Sequence, residues 1–175
     1  MSVLIAKSNL KVVIGMGITG LSVARFLSKK GHPFIMLDTR EAPANLAVFK
    51  QEFPHVSLEL GPLNSETLLL AEEIIVSPGV ALAEPALREA VDKGISVIGD
   101  VDLFTRDACA PIVAITGSNA KSTVTTLVGE MASAAGLTVS VGGNIGRPVL
   151  DLLEDEGVQL YVLELSSFQL ERVSI

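Results

Sequence analysis

Two glycine-containing loops in this sequence have the residue types and the spacing that bind phosphate. The more informative loop is the string Thr116-Gly117-Ser118-Asn119-Ala120-Lys121-Ser122-Thr123. A β-branched run at 112–115 predicts a strand before it, and an amphipathic run predicts a helix at 121–135. In such an arrangement the backbone amides face the phosphates of ATP, the lysine contacts the β and γ phosphates, and the hydroxyl coordinates magnesium. We therefore predict an ATP site that uses Lys121 and Ser122.

This second loop departs from the full pattern G-x-x-x-x-G-K-[ST]. Ile115 and Ala120 stand where the pattern has glycines. The alternative interpretation is a helix capped by Ser118 or Asn119 with a solvated lysine. If Ala120 must adopt a positive φ, its Cβ costs about 1 kcal/mol or more.

The first loop, Gly15-Met16-Gly17-Ile18-Thr19-Gly20, matches G-x-G-x-x-G between a predicted strand and a predicted helix. Its glycines let the backbone approach a ligand, and the amides of the helix start face a phosphate. Asp38 ends the next predicted strand, where such folds place a carboxylate for a ribose. Arg40 has the chemistry to stack on a base or meet a phosphate, but residues 38–40 also fit a solvated turn.

The first loop alone does not choose between NAD, FAD and a sugar nucleotide. An NAD-dependent oxidoreductase explains Gly15–Gly20 and Asp38. It gives no role to Lys121 and Ser122, or to Glu164, a carboxylate near the end of the predicted strand at 160–165. The alternative without a ligand is that the glycines only permit a tight turn and close helix packing.

Short apolar runs alternate with longer amphipathic runs along the chain, which predicts parallel sheets covered by helices on both faces. Strands are predicted at 11–14, 34–37, 56–59, 74–76, 95–98, 111–115, 137–141 and 160–165. Helices are predicted at 21–30, 46–52, 85–93 and 121–135, with a short helix and a connector at 100–110. The fold class is α/β: a Rossmann-like domain at 1–99, then an incomplete P-loop-type ATPase domain at 100–175. We expect the second domain to expose apolar surface.

Composition excludes several classes of function. The chain has 175 residues, of which 49% are hydrophobic and 19% charged, with a net charge of −7. This acidic balance argues against a broad nucleic-acid or anionic-membrane surface. One cysteine and two histidines exclude an internal disulfide and a Cys/His zinc cluster. We expect no signal peptide and no membrane span, and a cytoplasmic location.

Several strings resemble the Mur ligases, the amino-acid-adding enzymes of peptidoglycan synthesis. The strings are Thr116–Thr123, Gly142-Gly143-Asn144-Ile145-Gly146 and Leu163-Glu164-Leu165-Ser166-Ser167-Phe168-Gln169-Leu170-Glu171. The last string, Gly15–Gly20 and Asp38-Thr39-Arg40 resemble the branch that adds D-glutamate to UDP-N-acetylmuramoyl-L-alanine. The resemblance runs through essentially all of the chain.

The resemblance implies an ATP-dependent ligase with three domains, which bind the UDP part, ATP and the amino acid in that order. ATP converts the substrate carboxylate to an acyl phosphate, and the amine of D-glutamate displaces the phosphate to form an amide. The cofactors implied are ATP and Mg²⁺, and the partners are the two small-molecule substrates. Because the family's remaining contacts to D-glutamate, adenine and a second magnesium would lie beyond Ile175, we expect this chain alone not to ligate.

The resemblance also implies roles for individual residues. The substrate-binding set is Ile18, Thr19, Asp38, Thr39, Arg40, Ser77, Pro78, Gly79 and Asn144. The ATP-binding set is Gly117, Ser118, Asn119, Ala120, Lys121, Ser122 and Thr123. The magnesium ligands are Ser122 and Glu164, and the catalytic set is Lys121, Glu164 and Asn144. From the residues alone, Ser77-Pro78-Gly79 also fits a plain turn, and Asn144 fits a turn residue among glycines.

Three hypotheses are therefore consistent with the sequence. The first is the ligase, the second is the NAD-dependent oxidoreductase, and the third is a nucleotide-binding module without catalysis. Glu164 favours the first, because a carboxylate at the end of a parallel strand stands where ligands bind in such sheets.

Overall fold

The computed structural model describes residues 9–81 and 83–170, without the side chain of Phe168. Glu171, the last residue of the final string, and most of the N-terminal segment lie outside the described residues. The chain divides into two compact units, residues 1–98 (unit 1) and 99–175 (unit 2). Gly99 opens unit 2, where its N–H donates to Asp102 Oδ2 at 3.1 Å.

The described part of unit 1 contains five strands and four helices. The strands are β1 (Lys11–Ile14), β2 (Phe34–Asp38), β3 (Leu58–Leu60), β4 (Glu73–Val76) and β5 (Ser96–Ile98). The helices are α1 (Ile18–Lys29), α2 (Leu46–Glu52), α3 (Ser65–Leu69) and α4 (Pro85–Asp92).

All strand pairs of unit 1 are parallel, in the order β3-β2-β1-β4-β5. The chain builds outward from β1 to β3 and then returns to place β4 on the other side of β1. The carboxyl ends of β1 and β4 therefore meet at the point where the strand order reverses, which is where open α/β sheets bind ligands. The predicted α/β class with parallel sheets is confirmed.

The core of unit 1 lies on both faces of the sheet. On one face Val12, Ile14, Ile74 and Val76 pack with residues of α3 and α4. The alternate strand residues Val13, Met36 and Ile75 are also buried, and α1 contacts β1 and β2. This double burial explains why the strands are continuous apolar runs in the sequence.

The described part of unit 2 contains three parallel strands in the order β6-β8-β7. The strands are β6 (Ile112–Ile115), β7 (Val139–Gly143) and β8 (Leu160–Glu164), and the helices are α5 (Asp100–Asp107), α6 (Lys121–Ala134), α7 (Ser167–Leu170) and a 3₁₀ helix (Val149–Glu154). The central strand β8 is the most buried of the three. Among the described helices of the whole chain, none has the length and apolar character needed to cross a membrane.

Helix α6 leaves several large apolar side chains exposed. The exposed fractions of Val124, Leu127 and Met131 are 44%, 56% and 63%. The helix packs on β7 and β8 and instead buries Thr125 and Gly129, because small residues let a helix approach a sheet closely. Unit 2 therefore exposes apolar side chains on the outer face of α6.

Other differences from the predicted elements are local. Helix α1 begins at Ile18 rather than at residue 21, because the last residues of the glycine loop already form its first turn. Strand β3 begins two residues later than predicted, and β7 is shifted by two residues toward its carboxyl end. Three short helical segments, α3, α7 and the 3₁₀ helix, were not predicted, because segments of four to six residues carry little periodicity.

Candidate functional site

The first glycine loop is held by the loop that follows β4. The Ser77 hydroxyl donates to the Gly15 carbonyl oxygen at 3.0 Å. A Cβ on Gly20 would lie 1.8 Å from the same oxygen, so only glycine fits there. A Cβ on Gly17 would meet nothing within 4 Å among the described residues. Packing thus explains why glycine stands at positions 15 and 20. At Gly17 no described atom blocks a ligand from approaching the start of α1.

Asp38 is buried beneath this loop and accepts hydrogen bonds at both carboxylate oxygens. Its Oδ2 accepts from Met16 N–H at 2.6 Å and from Arg40 Nη2 at 2.7 Å. Its Oδ1 accepts from Arg40 N–H at 2.9 Å and from Arg40 Nε at 2.8 Å. Four donors use the full acceptor capacity of a carboxylate. The ribose contact of a dinucleotide fold would have to displace one of them.

The contacts of Asp38 shift its acidity. Burial alone would raise the pKa of Asp38, but the hydrogen bonds from Arg40 and Met16 outweigh it and lower the pKa from 3.8 to about 2. The same contact raises the pKa of Arg40. Asp38 is therefore ionised at neutral pH and pairs with Arg40, and the solvated-turn interpretation of residues 38–40 is wrong for Asp38, which is 2% exposed.

The other predicted substrate residues of unit 1 follow the same edge of the sheet. Ile18 begins α1 and is 73% exposed, which is unusual for a large apolar side chain. Thr39, Arg40 and Gly79 are also exposed, whereas Ser77 is buried. Thr19 and Pro78 are half-buried. One contributor was not predicted: Asn45, before α2, donates from Nδ2 to the Met16 carbonyl at 3.2 Å, and no sequence pattern marked it.

The second loop connects β6 to α6 through an unusual backbone conformation. Ala120 precedes the helix with φ of +59° and ψ of 11°, a left-handed conformation, and Gly117 has φ of +149°. In the described structure no side chain caps this helix, so the predicted alternative of a cap by Ser118 or Asn119 is wrong. The first helical bond runs from Val124 N–H to the Ala120 carbonyl at 2.9 Å. The N–H groups of the first turn therefore point out of the helix toward the loop.

Lys121 folds back over this loop. Its Nζ donates to the Gly117 carbonyl at 2.9 Å, and its own carbonyl accepts from the buried Thr125 hydroxyl at 2.8 Å. The residues from Thr116 to Ala120 are exposed, as are Ser122 and Thr123. An exposed loop with a cation and free-standing amides matches the chemistry of a phosphate site.

Glu164 ends the central strand of unit 2 and pairs with Ile115 of β6 on one side and Gly143 of β7 on the other. It is only 2% exposed. Its Oε1 accepts from Asn144 Nδ2 at 3.2 Å. Its Oε2 is buried and has no hydrogen-bond partner among the described residues. A buried carboxylate oxygen without a donor is unfavourable, so Oε2 is suited to meet a cation.

The residues at this edge fit magnesium bound together with phosphates. Among the described residues, no group of three or more His, Cys, Asp or Glu side chains could hold a metal ion by itself. Magnesium in phosphate sites typically uses one or two protein oxygens and takes the others from phosphates and water. The bare Oε2 of Glu164 and the exposed hydroxyl of Ser122 are oxygens of that kind.

A buried polar network follows β8. Ser166 N–H donates to Gln169 Oε1 at 3.1 Å, and Gln169 Nε2 donates to Asp100 Oδ2 at 3.4 Å. Gln169 and Asp100 are 4% and 3% exposed. The loop after Glu164 is thus fixed to the first turn of α5 within unit 2.

The fold and the two loops define a class of parallel α/β protein with a glycine-containing loop at the carboxyl edge of each sheet. The family model for the "Mur ligase MurD-like, N-terminal domain" matches residues 9–99. The chain therefore belongs to the MurD-like Mur ligase family.

Several curated relatives are more than half identical to this chain. The UDP-N-acetylmuramoylalanine--D-glutamate ligase of Pseudomonas fluorescens is 57% identical over 168 residues, and that of Pseudomonas aeruginosa is 56% identical over 168 residues. Each alignment covers 96% of this chain and 37% of the relative. The ligase of the same name from Saccharophagus degradans is 54% identical, with 99% of this chain and 39% of the relative covered. The chain thus spans less than two fifths of these relatives.

Solved structures show the same fold. A pseudomurein peptide ligase type C from Methanothermus fervidus has 25% identity and a TM-score of 0.52, covering 89% of this chain and 33% of that protein. A UDP-N-acetylmuramate:L-alanyl-gamma-D-glutamyl-meso-diaminopimelate ligase from Neisseria meningitides has a TM-score of 0.54 at 12% identity, covering 89% of this chain and 52% of that protein. The second likeness concerns the fold alone.

Proposed function

We propose that this protein is an ATP-dependent ligase of peptidoglycan synthesis that adds D-glutamate to UDP-N-acetylmuramoyl-L-alanine. The observation that carries the proposal is the buried, unpartnered Oε2 of Glu164 on the strand next to β6, which leads into the Lys121 loop. An NAD-dependent oxidoreductase has no use for such a carboxylate. The relatives' printed names supply the amino acid and the nucleotide substrate.

In this proposal unit 1 binds the UDP part of the substrate. Exposed Ile18, Thr39 and Arg40 supply an apolar surface, a hydroxyl and a cation to the nucleotide. Asp38 acts from below by fixing Arg40 and the Met16 amide. Thr19 and the Ser77-Pro78-Gly79 loop complete the pocket. Both oxygens of Asp38 already accept hydrogen bonds. This favours a pocket in which Arg40 contacts the ligand over one in which Asp38 accepts a hydrogen bond from a ribose.

Unit 2 binds ATP and Mg²⁺ in the same proposal. The loop residues Gly117, Ser118, Asn119 and Ala120 and the first helical residues Ser122 and Thr123 face the phosphates. Lys121 exchanges its bond to the Gly117 carbonyl for a phosphate oxygen. Ser122 and Glu164 hold Mg²⁺, which supplies charge neutralisation to the phosphates when bound.

The chemistry proposed is formation of an amide through an acyl phosphate. The carboxylate of the nucleotide substrate takes the γ-phosphoryl group of ATP, and ADP leaves. The amine of D-glutamate then attacks the acyl carbon, and phosphate and a proton are released. Lys121 stabilises the transferred phosphoryl group. Asn144, directly after β7, lies beside Glu164 and near the reacting end of the nucleotide substrate. We propose a cytoplasmic location, where both small substrates and ATP are available.

Calorimetry with two ligands tests the assignment of unit 1. We expect UDP-N-acetylmuramoyl-L-alanine to bind the 175-residue chain and NADH not to bind. Arg40→Ala should lower the affinity for the UDP compound at least tenfold, because it removes the exposed cation of the pocket. The matched control is Arg25→Ala, which breaks an exposed pair with Glu52 and should leave binding unchanged. If the unmodified chain binds NADH and Arg40→Ala loses this binding, the result would instead support the NAD-dependent oxidoreductase.

A second binding experiment tests unit 2. Lys121 is the only lysine after Lys93. Lys121→Ala should lower the affinity for ATP at least tenfold in the presence of Mg²⁺. Lys93→Ala removes an exposed lysine paired with Glu89 and serves as the control. Equal ATP affinity in both variants would contradict the proposed phosphate loop. The expectation that this chain alone does not ligate stays a prediction, and ADP release that depends on D-glutamate would contradict it.

A further inference from the structure

Asn144 contacts Glu164 twice. Its backbone N–H donates to the Glu164 carbonyl oxygen at 2.8 Å, and its side-chain Nδ2 donates to Oε1 of the same residue at 3.2 Å. Asn144 itself is exposed, whereas the carboxylate it reaches is buried. One residue thus fixes both the backbone and the side chain of the predicted metal ligand.

The geometry before Asn144 makes this double contact possible. Gly143 ends β7 opposite Glu164 and turns the chain with φ of +110°. A Cβ at Gly143 would lie 2.3 Å from the Glu164 carbonyl oxygen. The chain can therefore pass close enough for the Asn144 amide to reach Glu164 only because residue 143 is glycine.

The two oxygens of the Glu164 carboxylate are left in different states. Oε1 accepts from the Asn144 amide, and Oε2 is buried without a hydrogen-bond partner among the described residues. A carboxamide N–H donor next to one oxygen fixes the rotation of the carboxylate and leaves the other oxygen for a ligand. Hydrogen-bonding partners of this kind orient metal ligands and commonly change metal affinity tenfold to a hundredfold.

We infer that Asn144 is a positioning residue that makes Glu164 a one-oxygen ligand, which presents Oε2 alone to a divalent cation bound with the nucleotide. The inference rests on the proposed ATP site and adds a role for Asn144 that is separate from contact with the substrate. It predicts that Asn144 affects cation affinity only through Glu164.

The test measures binding of Mn²⁺ with ADP, using Mn²⁺ paramagnetic resonance and calorimetry on the 175-residue chain. Asn144→Asp keeps the size of the side chain but replaces the donor with a second carboxylate, and Asn144→Ala removes the donor without adding charge. Both should lower the Mn²⁺-dependent part of ADP affinity at least tenfold, while ADP affinity without metal stays unchanged. The control Asn64→Asp should change nothing, because Asn64 caps α3 through its side-chain oxygen, which aspartate also has.

A double-mutant cycle separates positioning from an independent effect. Glu164→Gln should remove the Mn²⁺-dependent increment, and Asn144→Ala added to Glu164→Gln should cause no further loss. The inference is overturned if Asn144→Asp and Asn144→Ala both bind Mn²⁺ with ADP like the unmodified chain, or if the two losses add in full. If Mn²⁺ leaves ADP affinity unchanged in the unmodified chain, the inference fails but the nucleotide site stands. If the chain does not bind ADP at all, the proposed function fails as well.

Discussion

Arg40 and Asp38 are joined by three hydrogen bonds, two from the guanidinium and one from the Arg40 backbone N–H. The carboxylate is buried while the arginine side chain is 58% exposed. The pair therefore links the interior of the loop structure to the surface that a ligand would meet. Removing the charge of Asp38 should disturb both stability and ligand binding.

Replacement of Asp38 by asparagine should lower stability in a pH-dependent way. The pKa of Asp38 is about 2 in the folded chain and about 3.9 in an unfolded one. The stabilisation that ionised Asp38 gives to the folded chain is therefore complete above about pH 4 and is lost as pH falls toward 2. We expect Asp38→Asn to cost about 2 kcal/mol at neutral pH, because hydrogen bonds to a buried charge are lost. The measurement is the difference in urea midpoint between the two proteins at several pH values.

The control for this experiment is Glu52→Gln, which removes an exposed ion pair with Arg25. Exposed pairs contribute little, so its urea midpoint should stay close to that of the unmodified chain. A difference between Asp38→Asn and the unmodified chain that does not shrink on acidification would contradict the assigned role of the Asp38 charge.

Glycine at position 120 should stabilise unit 2. Ala120 has a φ of +59°, which costs an ordinary residue about 1 kcal/mol. Ala120→Gly should raise the free energy of unfolding by up to that amount, and urea denaturation measures it. Ala135→Gly is the matched control, since Ala135 has an ordinary φ of −78° and should gain nothing. If Ala120→Gly lowers the free energy of unfolding as much as Ala135→Gly does, the backbone at position 120 is not strained.

Alanine at Gly143 should be far more harmful than alanine at Gly146. Both glycines have positive φ, +110° and +62°, so both substitutions carry backbone strain of about 1 kcal/mol or more. Only the Cβ at Gly143 meets a backbone atom, the Glu164 oxygen at 2.3 Å, whereas at Gly146 nothing described lies within 4 Å. We expect Gly143→Ala to lower the melting temperature clearly more than Gly146→Ala. Equal losses would mean that the close approach to Glu164 is not required.

The single tyrosine of the chain offers a direct optical test of the core of unit 2. Burial raises the pKa of Tyr161 to about 12, with a smaller contribution from Cys109, whose Sγ lies 3.6 Å from the phenol oxygen. Near-ultraviolet absorbance should therefore show phenolate formation near pH 12 in the folded chain and near pH 10 after denaturation. Because the folded state keeps its proton longer, stability should fall as pH rises from about 10 through 12.

Cys109→Ala distinguishes the two causes of this shift. Burial is the main cause of the raised pKa of Tyr161, and the Phe104 ring packs edge-on against it with the ring centroids 4.9 Å apart. The titration midpoint of Tyr161 in the variant should therefore stay well above pH 10. A return to 10 in Cys109→Ala would assign the shift to the cysteine instead.

The sequence by itself determined the parallel α/β architecture and the position of both glycine-containing loops. Alternating apolar and amphipathic runs are local patterns, and strands such as β1 and β4 are apolar because both faces of their sheet are covered. The strings around Gly15, Lys121 and Glu164 also predicted the family that the comparisons show. These features depend on residue type and on spacing along the chain, which the sequence contains directly.

Only the tertiary structure decided how the functional side chains are used. The sequence predicted Asp38 as a substrate-binding residue, and the structure shows that hydrogen-bond donors occupy both of its oxygens. Arg40, two positions further on, supplies three of these donors, and Met16 supplies the fourth because the fold brings the ends of β1 and β2 together. The sequence predicted Asn144 as a substrate contact, with a turn residue as the alternative, and the placement of its amide against Glu164 follows only from the pairing of β7 with β8. The hydrogen bonds from Met16 to Asp38 and from Asn144 to Glu164 join residues 22 and 20 positions apart, and local periodicity carries no information about which distant residues will meet.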